Sequence, residues 1–206
     1  MNNLNTPILF LVFNRLDATK QVFEVIRKVV PSKLYIGCDG PRDNREGEDK
    51  KVKAVREYVL DSIDWDCEIK TLFREKNLGC GKAVSSAISW FFENEEMGII
   101  LEDDCLPSLS FFPYCEELLI KYKEDARIYH ISGHNPLTYT KTKYSYYFVR
   151  IQHCWGWASW RRAWEKYNFD ITDLDDFIEQ KKINKIFTRS VDRNYWIDPF
   201  KKMEKH

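Results

Sequence analysis

Three consecutive carboxylates, Glu102-Asp103-Asp104, follow the short apolar run Gly98-Ile99-Ile100-Leu101 and are closed off by Cys105-Leu106-Pro107. A run of that length predicts a strand buried on both faces. Acids at the carboxyl end of such a strand are costly unless a cation compensates them, and ligands of open α/β sheets bind at that edge. The chemistry that suits the triplet is a hard divalent cation, Mn²⁺ or Mg²⁺, shared between carboxylate and phosphate oxygens. The competing reading is a solvated acidic turn.

Three further polar clusters have the same setting. Ile8 to Phe13 (ILFLVF) ends at Asn14-Arg15, and Lys33 to Cys38 (KLYIGC) ends at Asp39-Gly40-Pro41-Arg42. Cys67 to Phe73 (CEIKTLF) runs into Arg74 and the stretch Asn77-Leu78-Gly79-Cys80-Gly81-Lys82. In the last of these, glycines ahead of a helix N-terminus give an anion close access to backbone amides. Each cluster also has an ordinary reading. Arg74 and Lys82 are equally suited to be surface charges, and Asp39 before Gly-Pro is a turn former.

The elements that must position these clusters alternate. Helical periodicity links the strand-like runs: Val22, Phe23, Val25, Ile26 and Val29 up to Pro31, with Asp17 as the expected N-cap; Val52, Val55, Val59 and Leu60 within Arg45 to Leu60; then Ala83 to Phe92. The order β-α-β-α-β-α-β predicts a Rossmann-like, mostly parallel central sheet with helices on both faces. All four polar tips then gather on one sheet edge. Neither G-x-x-x-x-G-K-[ST] nor G-x-G-x-x-G occurs, which disfavours a P-loop enzyme and a dinucleotide dehydrogenase.

After Pro107 the character changes. Phe111 to Tyr122 is expected to be helical, Arg127 to Ser132 a strand, and Tyr144 to Ile151 an antiparallel edge strand. Trp155, Trp157, Trp160 and Trp164 crowd ten residues, which is core more often than a sugar platform, with Gly156-Trp157 the portion expected to face a ligand. His134 and His153 are candidate bases or ligands, though a lone histidine after a strand is usually structural or solvated.

Bulk composition bounds the class. The chain has 206 residues, with Lys plus Arg equal to Asp plus Glu at 32 each. That balance argues against a nucleic-acid surface. Six cysteines without C-x-x-C or zinc-ribbon spacing read as reduced thiols, hence a cytoplasmic protein. No N-terminal signal pattern is visible and the longest apolar run is too short to span a bilayer, leaving peripheral membrane contact open.

TPILFLVFNR, LYIGCDGPR, FREKNLGCGKAVSSAISW, GIILEDDCLPSLSFFPYCEELL, HISGHN and CWGWASWRRAW together resemble a bacterial glycosyltransferase of the A-type nucleotide-diphospho-sugar transferase superfamily. The chain is family-two-like and distantly similar to N-acetylglucosaminyltransferases that carry a Glu-Asp-Asp motif. The resemblance covers Thr6 to about Trp164. It implies one domain over residues 1–206, with a nucleotide-sugar half (1–107) and a smaller acceptor-side portion (108–206). By the same resemblance Asp104 would bind a divalent metal directly and Asp103 would reach it by water or hold the donor ribose, with Glu102 supporting them or holding the donor sugar. Asp39 would meet the base edge, and Phe13, Asn14 and Arg15 would line the nucleotide. Arg74, Gly79 and Lys82 would serve the phosphates, and Gly156 and Trp157 would face donor or acceptor. The implied reaction is inverting transfer from a nucleotide-diphospho-sugar, a UDP-sugar foremost, to a carbohydrate or glycoconjugate acceptor, in polysaccharide biosynthesis. An inverting transfer also needs a base. Either Asp198 serves, or the chain is a piece whose base lies beyond His206. The alternatives are a nucleotidyltransferase, which would want glycines in the first loop, and a non-catalytic sugar-nucleotide or carbohydrate-binding module.

Overall fold

The computed structural model describes residues 4–136 and 143–203. The chain divides into two compact units. One comprises residues 1–147 and 151–165, the other 148–150 and 166–206.

The first unit is an α/β sandwich around a six-stranded sheet. In chain order it holds β1 (Ile8–Val12), α1 (Leu16–Val29), β2 (Lys33–Cys38), α2 (Glu48–Asp61), β3 (Glu68–Phe73), α3 (Cys80–Asn94) and β4 (Met97–Glu102). After these come α4 (Phe111–Lys121), β5 (Ile131–Ser132), β6 (Trp157–Trp160) and α5 (Arg161–Trp164). The strand order is β3-β2-β1-β4-β6-β5, with β1 to β4 parallel and β6 antiparallel to both β4 and β5.

The central strands β1, β2 and β4 are apolar because both faces are covered. On one face, Phe10, Ile36 and Ile99 pack with Phe23 and Ile26 of α1, Val55 and Val59 of α2, and Phe112 and Leu119 of α4. On the other, Leu9, Tyr35 and Ile100 pack with Ala87, Ile88 and Phe91 of α3 and with Trp157. Helices α1 and α2 lie on one side and α3 on the opposite side. The chain thus steps outward from β1 to β3, then crosses back to lay β4 on the far side of β1. That reversal makes β1/β4 the switch point, where the loops diverge and leave a crevice.

Some expectations change at element level. Helix α1 begins after Arg15 with no side-chain cap, and Asp17 sits in its first turn. The stretch Arg127 to Ser132 yields only a two-residue strand, because Asp125 accepts the amide of Arg127 and turns the chain there. Residues 144–151 form no strand. The antiparallel place beside β4 belongs instead to Trp-Ala-Ser-Trp of β6, a fully buried strand in which two large residues flank two small ones and no polar face marks it.

The second unit contains α6 (Leu174–Glu179), α7 (Ile183–Ile186) and α8 (Ser190–Met203). Arg150 donates to the carbonyl of Ile186, and Phe187 stacks on Trp196, so the unit is tied by its own contacts.

Candidate functional site

Strand register aligns the tips. Val12 pairs with Cys38, Cys38 with Phe73, and Leu11 with Glu102. The next residues, Phe13, Asp39, Arg74 and Asp103, therefore emerge side by side along one edge. All four line a cleft of about 430 Å³, together with Asn14, Arg15, Gly79 and Glu102.

Each tip is held by its neighbours. Arg56, reaching from α2, donates to the carbonyls of Asp39 (3.0 Å) and Arg74 (2.7 Å), tying the ends of β2 and β3 from behind. The carboxylate of Asp39 accepts the amides of Gly40 (3.0 Å) and Leu78 (3.0 and 3.1 Å), so it fastens the β3–α3 loop onto β2. Asn77 adds a bond to the Gly40 carbonyl at 2.7 Å. The two backbones come so close that a Cβ at Gly40 would lie 2.5 Å from the carbonyl carbon of Lys76, which no side chain permits. Asp39 is thus a turn-holding residue as well as a cleft residue. Gly79, at φ +80°, ends that loop and starts α3, whose first residues Cys80 and Ala83 also face the cleft. The N-terminus of α3 brings positive potential there.

At the switch point Arg15 meets the acids. Its guanidinium pairs with Asp103 and stands 3.1 Å from Asp104. Asp103 is only 3 % exposed, and its Oδ2 has no hydrogen-bond partner among the described residues. Burial raises the Asp103 carboxyl above its ordinary range, against the opposing pull of Arg15. Burial raises Glu102 as well, aided by repulsion from Asp104 and Asp103. An orphaned buried carboxylate oxygen beside a half-exposed second carboxylate calls for a partner. Among the described residues no group of three or more His, Cys, Asp or Glu could hold a metal ion. The donor set therefore fits a hard cation completed by phosphate oxygens and water, as Mg²⁺ ordinarily is, and does not fit an all-protein cage.

Two expected residues stand elsewhere. Lys82 is exposed and does not line the cleft, because α3 has turned it away by that position; Arg42 lines it in its place. Trp157 is buried in the core, stacked on His130 at 4.7 Å and 14°. Gly156 does reach a cavity, but a different one. About 410 Å³ in volume, it is bounded by Asp104, Phe111, Gly133, His134, Trp155 and Gly156. Trp155 is 59 % exposed there, stacked on His153 and met edge-on by His134 at 4.7 Å. The acidic triplet lies between the two hollows, Glu102 and Asp103 facing one and Asp104 the other. Asp198 is an exposed residue of α8 in the second unit.

Sequence reading missed Arg42, Glu48, Asn77 and Trp155. Arg42 and Asn77 stood within the polar tips, where position after a strand was the available signal. Glu48, in a charged run, carried none.

No protein-family model matches the sequence, and no curated protein matches it. Among solved structures, a mannosyltransferase from Pyrobaculum calidifontis in complex with GDP-Man and Mn²⁺ is similar with a TM-score of 0.50 and 14 % identity, over 79 % of this chain and 46 % of that one. The 4-diphosphocytidyl-2C-methyl-D-erythritol synthase of Anaerococcus prevotii gives 0.47 and 12 %, over 90 % and 85 %. HddC from Yersinia pseudotuberculosis complexed with GMP-PN gives 0.38 and 11 %, over 55 % and 54 %. The likeness is one of fold. The chain spans less than half the length of the mannosyltransferase.

Proposed function

We propose that this chain is a metal-dependent glycosyltransferase that moves a sugar from a nucleotide-diphospho-sugar to a hydroxyl of a carbohydrate or other acceptor. The observation that carries this reading is the cleft at the β1/β4 switch point, where a buried Asp103 oxygen without a partner faces residues from four aligned strand tips. Phe13, Asn14 and Asp39 are placed to hold the nucleoside. Arg42, Arg74 and the amide at Cys80 supply positive potential for the diphosphate, the Gly79 amide being donated to Asn77 Oδ1 at 3.1 Å. Arg15 brings a further cation to the acids and is free to turn toward phosphate, since its side chain is about half exposed. Asp104 and Asp103 would hold Mn²⁺ or Mg²⁺, which when bound offsets the charge of the departing diphosphate. The sugar end of the donor points across Asp104 toward the second hollow, where the exposed face of Trp155 suits a pyranose ring. A cytoplasmic site of action fits the uncommitted thiols, all of them free. No helix among the described residues is long and apolar enough to cross a membrane.

Titration calorimetry with UDP and GDP, with and without Mn²⁺, tests the reading. Metal-dependent binding of one of them, with release of that diphosphate from its sugar conjugate, supports it. Formation of a nucleotide-sugar from a nucleoside triphosphate and a sugar phosphate would make the protein a nucleotidyltransferase instead. Tight binding without turnover on any acceptor would make it a binding module. The choice between UDP and GDP is read directly; UDP is the one the family resemblance favours.

A further inference from the structure

Glu48 is the one acidic side chain of α2 that is buried, 5 % exposed at the first residue of the helix. A buried carboxylate that served stability alone would be better replaced by an apolar side chain. Its partners explain its presence. Oε1 accepts Asn14 Nδ2 at 2.9 Å, and Oε2 accepts the Arg42 amide at 2.8 Å and Arg42 Nε at 3.0 Å. A further bond joins Arg42 Nη2 to Oε1, completing a two-pronged pairing of guanidinium and carboxylate. Asn14 follows β1 and Arg42 follows β2, and both line the cleft. Arg42 also lies over the Phe13 ring, 5.7 Å from its centroid.

We propose that Glu48 is a positioning residue for the nucleotide cleft, a buried carboxylate that fixes Asn14 and Arg42 in one rigid rim. This rests on the functional reading above. Without Glu48 the Arg42 side chain would have no anchor at its own loop and would spend entropy on ordering each time a ligand bound. With it, Nε and Nη2 are spoken for and the outer edge of the guanidinium is presented at a set angle. The rim then offers one amide and one cation, a pair suited to a base edge or ribose on one side and a phosphate on the other. Arg42 holds the Glu48 carboxyl at about 2, so the pair stays ionised wherever the protein is folded.

The test is a double-mutant cycle on nucleotide affinity with Glu48→Gln, Arg42→Gln and the double variant, using UDP and GDP with Mn²⁺. Glutamine preserves shape and one acceptor, so the fold should persist, as the thermal midpoint will confirm. The expected result is a dissociation constant raised roughly tenfold by either single change, with the double variant no worse than Arg42→Gln. Additive losses, or wild-type affinity in Glu48→Gln, overturn the proposal. A ligand-independent reading keeps it separate from the functional assignment. The Arg42 Nε–H proton, protected in the wild type, should exchange rapidly in Glu48→Gln. If the wild type binds neither UDP nor GDP, the functional reading falls, and an Arg42 proton equally protected in both proteins overturns the positioning role as well.

Discussion

Arg15 lies on two carboxylates at once, paired with Asp103 and 3.1 Å from Asp104, while Oδ2 of Asp103 stays buried beside the pair with no partner among the described residues. One guanidinium therefore offsets one of the two carboxylate charges it touches and leaves one oxygen unserved among the described residues. A divalent cation at that oxygen would compete with Arg15 for both acids. Asp104→Asn is expected to abolish Mn²⁺-dependent nucleotide binding, and Asp103→Asn to weaken it less. Neither should lower the thermal midpoint greatly, since the Arg15 side chain released by the change can be solvated. Calorimetry of both variants decides the matter. Wild-type binding in both would make the triplet an acidic turn pinned by Arg15.

The Asp39 carboxylate accepts two backbone amides, so its removal acts on structure and ligand together. Asp39→Ala should cost about 1–3 kcal/mol of nucleotide affinity, the usual range for an unpaired buried donor. It should also lower the thermal midpoint of the free protein, because the amides of Gly40 and Leu78 lose their acceptor. Asp39→Asn retains a carbonyl oxygen for those amides and is expected to recover the midpoint without the full affinity. A ligand-free midpoint unchanged in Asp39→Ala would mean that Asn77 and Arg56 hold the loop by themselves.

The parallel core and its switch point were legible because β1, β2 and β4 are continuous apolar runs, each ending in a polar tip. Buried strands of a doubly covered sheet have no polar face to blur that pattern. The antiparallel margin was not legible. The segment Tyr-Ser-Tyr-Tyr-Phe-Val alternates like a strand but forms none, whereas Trp-Ala-Ser-Trp pairs with β4 on the strength of packing against α3 and α4. Site residues divided in the same way. Those immediately after a strand, Phe13, Asp39, Arg74 and Asp103, line the cleft, as their position in the sequence implies. Lys82 failed because it is two residues into a helix, where each position turns by about 100°. Glu48 could be recognised only from its partners in space.

Trp155 and Trp157 are two residues apart and opposite in role. Trp157→Ala should cost about 3–5 kcal/mol, since its ring fills the core between β6, α3 and His130. Trp155→Ala should change stability by no more than about 1 kcal/mol, its ring being mostly exposed. Its effect is expected on acceptor use: a raised KM for saccharide acceptors with nucleotide affinity unchanged. Denaturant unfolding of both variants and acceptor kinetics of the second would show the contrast. A large stability loss in Trp155→Ala would assign the whole tryptophan cluster to the core.

His130 should make the fold acid-sensitive. Burial holds its imidazole down to about 4 from an ordinary value near 6.5. The unfolded chain therefore binds a proton over that interval that the folded chain refuses, and stability falls as pH drops from about 6.5 toward 4. The loss attributable to this residue is at most about 3 kcal/mol. Denaturant midpoints measured from pH 7 to pH 4 should fall less steeply in His130→Gln than in the wild type. Parallel curves would mean that the ring is solvated when charged.

The base that deprotonates the acceptor must stand on the acceptor side of the departing diphosphate. On the proposed reading that side is the hollow lined by Asp104, His134 and Trp155. Asp104 belongs to the acids assigned to the cation, which leaves the imidazole of His134 as a group able to take a proton there. It is oriented by edge contact with Trp155, and its amide donates to Ser132 Oγ at 3.2 Å. Asp198 on α8 is the competing carboxylate. Loss of a general base typically costs 10²–10⁴-fold in rate with ground-state binding largely spared. His134→Gln is therefore expected to lower kcat by about two orders of magnitude or more while leaving the nucleotide dissociation constant unchanged. Full activity in His134→Gln, with loss of turnover in Asp198→Asn, would give the role to Asp198.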